Sequence, residues 1–235
     1  MKKLAFILVL LCFTIASEAQ DSIRRHSISA SLDVYSAHLW RGAKNGTSIS
    51  IQPAAEYSYG NFSAGIWLAY SIDRSYTELD LYASYSAGSF TITLYDYFCP
   101  PNPVKQFEFF EFTEGKTKHT LDLNVVYAQP EKHPFELLVA TMVYGDDLNS
   151  ETGNNYFSTY IEPAVHFHPW KSDFKIFAGF TPAASYYADQ AAFINLGASI
   201  SYKVKIHRKV VIPVTAKFMY NPVDEKTFFT VGVNL

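Results

Sequence analysis

Beyond residue 20 the chain alternates apolar and polar residues with a period of two, and this alternation restricts it to β-strands. Ile28, Ala30, Leu32 and Val34 alternate with Ser27, Ser29, Ser31 and Asp33. Phe62, Ala64, Ile66, Leu68 and Tyr70 form another such row, and so do Leu79, Leu81, Ala83 and Tyr85. His119, Leu121, Leu123, Val125 and Tyr127 form a fourth. In the second half Ala192, Ile194, Leu196, Ala198, Ile200 and Tyr202 share one side, and the chain ends on Phe229, Val231, Val233 and Leu235. Charge is sorted to the opposite parity: Asp33, Arg41, Glu56, Glu78, Asp80, Asp122, Glu136, Glu162, Lys175, Lys203 and Lys217. A basic residue facing lipid at mid-membrane costs about 2–4 kcal/mol, which accounts for so strict a separation.

The rows amount to about twelve strands, an even number suited to a single-chain transmembrane barrel. Alternate connections are short, as at Gly60-Asn61, Ala87-Gly88 and residues 205–208. The others include long ones at 99–118, 145–155 and 182–190. Short turns at one end and long loops at the other describe an up-and-down barrel with both termini on the short-turn side. A soluble sandwich or lipocalin-like barrel shows the same alternation with the apolar face turned inward. Aromatics near strand ends, among them Trp40, Tyr57, Tyr70, Tyr85, Phe135, Phe167 and Tyr202, fit two interfacial girdles and favour the membrane version. Pro53, Pro163 and Pro213 interrupt the ladders and predict bulges or strand ends.

The first residues read as an export signal. Lys2 and Lys3 precede an apolar run at 4–16, and Ser17-Glu18-Ala19 offers small residues for cleavage before Gln20. The run is too short to span a bilayer. The chain therefore divides into a signal peptide at 1–19 and an all-β barrel at 20–235. Cys99 is then the one cysteine left, so no internal disulfide is available. The net charge of −3 gives no electrostatic footprint for nucleic acid.

Several segments resemble the family of exported outer-membrane porins labelled TorF. They are 36–42 with Trp40-Arg41-Gly42, Gln52-Pro53-Ala54, Gly65-Ile66-Trp67, Glu78-Leu79-Asp80-Leu81-Tyr82, and Tyr95-Asp96-Tyr97-Phe98 running towards Pro100. The resemblance covers residues 29–112, with Cys99 departing from the pattern. It implies an exported β-barrel and names no substrate.

Charged residues on the polar parity are the candidate site. Arg41 falls at the outer end of the first strand, with Glu78, Asp80 and Asp122 in the same half of the lumen and Glu162 on a later strand. They form either a constriction that selects ions or a buried network that plugs the bore, since interior charge must be paired. Asp96 has lipid-facing parity, so it must lie above the lipid or follow a bulge. An outer-membrane lipid hydrolase would need a nucleophile and base; Ser36 and His38 share the outward parity, but in reversed order and with no acidic orienter. His166 and His168 flank the Pro169-Trp170 turn with no third ligand, so no metal or other cofactor is expected. Cys99 reads as an inert loop thiol.

These observations point to a non-enzymatic outer-membrane barrel of a Gram-negative-type cell. As a narrow channel it would pass small hydrophilic solutes with modest cation preference, because seven of the lumen-parity charges are acidic and four basic. Its expected partners are outer-membrane lipids and the barrel assembly machinery. The alternative is a closed barrel acting through the 99–118 loop, where Phe107, Phe109, Phe110 and Phe112 alternate around Glu108 and Glu111. A lipid-modifying enzyme is the remaining reading.

Overall fold

The computed structural model of the protein describes residues 26–102, 104, 108–207 and 210–235. The expected signal peptide at 1–19 and Phe107 lie outside them. Twelve strands close into one antiparallel barrel. They are β1 (His26–Tyr35), β4 (Ser50–Tyr59), β5 (Phe62–Ser71), β6 (Thr77–Ala87), β7 (Phe90–Phe98), β8 (His119–Ala128), β9 (Phe135–Gly145), β10 (Thr159–Phe167), β11 (Asp173–Thr181), β12 (Ala192–His207), β13 (Val210–Asn221) and β14 (Lys226–Asn234). Each pairs with its neighbours in sequence, and β1 closes the wall on β14 through Asp33↔Asn234, Val34↔Val233 and Tyr35↔Gly232. Two short strands, β2 (His38–Trp40) and β3 (Ala43–Asn45), form a separate hairpin between β1 and β4.

Side-chain parity decides which face meets which solvent. The outward rows are apolar and exposed, with Leu32, Ile51, Leu81, Leu94, Leu123, Leu137, Ile176, Ile200, Phe218 and Val231 all open on the barrel exterior. Glu78, Asp80, Asp122, Asn124 and Thr230 are buried inside. A soluble barrel would reverse this arrangement, and so continuous an apolar exterior needs a non-aqueous partner. The closed twelve-stranded wall, apolar outside and polar inside, fits an outer-membrane barrel protein.

Local irregularities have local causes. A register shift between Gly179 and Phe180 moves Phe193 to the exterior and turns Ile194 inward, correcting its expected outward place. Pro53 and Pro163 sit within β4 and β10, not at strand ends; the paired rungs skip them on the β5 and β11 sides and persist on the other. That is the effect of a missing backbone donor. Asp96 follows no bulge. It stays on the outward parity of an unbroken β7, where His119 lies against it and Phe109 and Phe112 in turn pack on His119.

Candidate functional site

The connection from β1 to β4 does not stay at the barrel rim. It turns into the lumen as the β2–β3 hairpin, pairing His38↔Asn45, Leu39↔Lys44 and Trp40↔Ala43. Arg41 and Gly42 form its two-residue turn, both with positive φ, as the right-handed twist of a tight hairpin demands. Gly42 is also required by space, since a Cβ there would sit 1.9 Å from the Ile194 carbonyl oxygen.

Each hairpin residue meets a different part of the wall. Leu39 packs on the buried cluster of Ala164, Phe177 and Met219. Trp40 stands edge-on to Tyr97 at 5.8 Å and lies beside Tyr187 at 6.0 Å. His38 lies 3.1 Å from Gln52 Nε2 and 3.5 Å from Glu78 Oε2. The Gly42 carbonyl accepts a hydrogen bond from Asn221 Nδ2 at 3.2 Å.

Arg41 fastens the tip. Its Nη2 donates to Asp122 Oδ2 at 2.7 Å and to Asn124 Oδ1 at 3.1 Å, and its Nη1 donates to Tyr187 Oη at 2.7 Å. The guanidinium also lies over the Trp40 and Tyr160 rings, at 4.7 and 5.0 Å. Asp122 is fully buried. Removing one member of such a pair leaves an uncompensated buried charge and costs about 3–5 kcal/mol.

The five expected site residues therefore separate. Arg41 and Asp122 meet directly. Glu78 accepts from Tyr76 Oη at 2.9 Å and lies 3.7 Å from the Cys99 thiol. Glu162 belongs to a second network: Lys175 Nζ is 3.2 Å from it and 2.7 Å from Glu136, and Asn195 and the Tyr160 hydroxyl also bond it. Asp80 stands apart, with its Oδ1 buried and unpartnered. The lumen is electrically lopsided: Lys175 and Lys217 stand on β11 and β13 close to Glu136, Glu162 and Asp33, whereas Glu56, Glu78 and Asp80 on β4 and β6 have no lysine among them.

Three placements differ from the sequence reading. Arg41 is the tip of an inserted hairpin, not the end of a wall strand. Trp40 is a lumen residue, not part of a girdle. His38 also faces the lumen, while Ser36 hydrogen-bonds Thr230 Oγ1 at 3.1 Å, so the two share no outward face. Cys99 is partly buried at a cavity of about 140 Å3 in the barrel mouth, where burial pushes its thiol up and away from reactivity.

Below the hairpin, two further cavities open among the described residues. One, of about 710 Å3, reaches from His38 and Trp40 down to Ser86 and Thr91 beside the 88–89 turn. The other, of about 330 Å3, is bounded by Asp33, Glu162, Lys175 and Lys217. Sequence reasoning missed the aromatic wall of the larger one. Tyr82, Tyr95 and Tyr97 form a ladder along it, with ring centroids 5.7 and 5.3 Å apart. The signal was available, because these tyrosines fall on the polar parity. Tyr82 can lie flat because its cross-strand partner is Gly65, where a Cβ would come within 2.4 Å of the Tyr82 hydroxyl. No protein-family model matches the chain, and no relative is found among curated proteins.

Proposed function

We propose that the protein is an outer-membrane channel for small hydrophilic solutes whose bore is stoppered by the β2–β3 hairpin. The observation that carries this reading is the hairpin itself, seated across a polar lumen on Arg41 and Asp122 with cavities of about 710 and 330 Å3 beneath it. The hairpin is a loop segment held by one ion pair, a few hydrogen bonds and the packing of Leu39 and Trp40, so it can be withdrawn without unpairing the wall. The likeness of residues 29–112 to exported porins points the same way. In this reading the short turns and both termini face the periplasm, the 99–118 loop faces outward, and assembly machinery inserts the barrel. The excess of lumen carboxylates gives an open bore a modest cation preference, stronger at low salt.

The test is single-channel recording in planar bilayers. The unaltered protein should conduct rarely. A variant with residues 38–45 replaced by a Gly-Gly linker should conduct steadily, with reversal potentials across a salt gradient showing cation preference. Silence of that variant would favour the closed-barrel reading, to which Phe110, 87% exposed on the 99–118 loop, lends a contact surface. Anion preference would refute the charge assignment.

A further inference from the structure

The larger cavity has a composition that the wall alone does not explain. Three carboxylates, Glu56, Glu78 and Asp80, line it together with His38, and among the described residues no lysine or arginine does. Glu56 is satisfied by Ser58 and Tyr82, both at 3.0 Å, and Glu78 by Tyr76. Asp80 is different. It is only 5% exposed, and its Oδ1 has no hydrogen-bond partner although the side chain borders the cavity. A buried carboxylate without a partner is costly to the fold, and that cost is relieved either by taking up a proton or by a cation supplied from outside the chain.

Its cross-strand neighbours are aromatic. The register sets Asp80 directly opposite Trp67 on β5 and opposite Tyr97 on β7. Tyr95 stacks on Tyr97 with the rings 21° apart. Aromatic faces around an anion form a box for a cation, because the ring quadrupole and the carboxylate attract the same charge. Rings contribute nothing comparable to a strongly hydrated metal ion, and they favour cations clothed in methyl or methylene groups.

We propose that this cavity is a binding site for small organic cations, with Asp80 as counter-ion and Trp67, Tyr95 and Tyr97 as its walls. The volume, about 710 Å3, lies within the range of small-molecule pockets, about 300–1,000 Å3. Trp40 closes the upper end, one of its faces being already covered by Arg41. The site names a solute class for the proposed channel and in that respect rests on that reading, although binding itself requires no conduction.

Intrinsic fluorescence provides the measurement, since Trp40 and Trp67 line the cavity and the third tryptophan, Trp170, is exposed on a turn. The purified full-length barrel carrying Trp170→Phe is titrated in detergent with choline, with its uncharged isostere 3,3-dimethylbutanol, with potassium and with glucose. Choline should change the emission saturably, and the other three should bind at least about tenfold more weakly. Asp80→Asn and Tyr97→Leu should each weaken choline by about tenfold or more. Asp80→Asn should also melt at a higher temperature, because a binding carboxylate is a burden to the empty fold, whereas a structural one supports it. Equal binding of the uncharged isostere, equal effect of potassium, undiminished binding by Asp80→Asn, or a lower melting temperature for that variant would each overturn the proposal. Choline binding in a barrel that never conducts would instead defeat the channel reading and leave the site standing.

Discussion

Arg41 and Asp122 lie 81 positions apart in the chain and 2.7 Å apart in the lumen, and their contact is the one full ion pair between the described hairpin and the wall. Arg41→Gln should unseat the hairpin tip and raise the frequency of channel opening. Asp122→Asn should do the same. Either change alone should lower stability by about 3–5 kcal/mol, and the double variant by less than the sum of the two, since neither then leaves a buried charge alone. Bilayer recording and thermal melts check both expectations.

The two faces of the wall should differ sharply in tolerance. Val214→Arg, on the exterior, should cost about 2–4 kcal/mol and impair assembly. Thr91→Arg, inside and near the turns, should be accepted beside the carboxylates of the large cavity. Heat-modifiable gel mobility separates folded from unfolded barrel. Asn195 is unsuitable as an interior control, because it is buried and donates to Tyr160 Oη at 2.7 Å.

Acid should loosen the hairpin's return limb. Thr47 Oγ1 donates to Asp73, the Thr47 amide donates to Ser75 Oγ at 2.8 Å, and the Asp73 amide donates to Ser48 Oγ at 3.2 Å. Hydrogen bonds from Ser75, then Thr47 and Ser48, hold the Asp73 carboxyl below the usual carboxylate range. Because the folded value is the depressed one, this support is complete above about pH 4 and fades only as the pH falls towards that lower value. Opening frequency should stay flat from neutrality to about pH 4 and rise below it. Asp73→Asn should show the raised frequency already at neutral pH.

His119 should control the long loop. Its Nδ1 lies 2.7 Å from Asp96 Oδ1 and its Nε2 2.5 Å from the Phe109 carbonyl oxygen, while Phe112 stacks on the ring at 4.3 Å. His119→Ala removes all three contacts and uncovers Asp96. Limited proteolysis should then cut within 99–118 much faster, with the barrel itself intact.

Wall strands were legible because each has two faces in different solvents, so Leu81 and Asp80 declare their directions by parity alone. The hairpin was not. Its strands are three residues long, too short for a period to register, and nothing local tells a loop to turn inward. That instruction lies in Asp122, Asn221 and Tyr187, far along the chain. Trp40 misled for a related reason: an aromatic at a strand end suits a membrane interface and a lumen equally well. Asp96 could be recognised as an anomaly, but its resolution needed His119 on the adjacent strand. Ile194 was misplaced by one register shift, which no alternating pattern announces.

The stopper's seat is built partly from the far end of the polypeptide. Thr230 Oγ1 donates to the Ala37 carbonyl at 2.8 Å and accepts from the Ala37 amide at 3.1 Å, and Thr230 stands on β14, the strand that also closes the wall. Closure of the wall and seating of the hairpin thus depend on one strand, which pairs with β1 and also holds Ala37 at the hairpin's start. Loss of β14 would open the flank of the wall and release the start of the hairpin together, so an unclosed wall and an unseated hairpin are one defect.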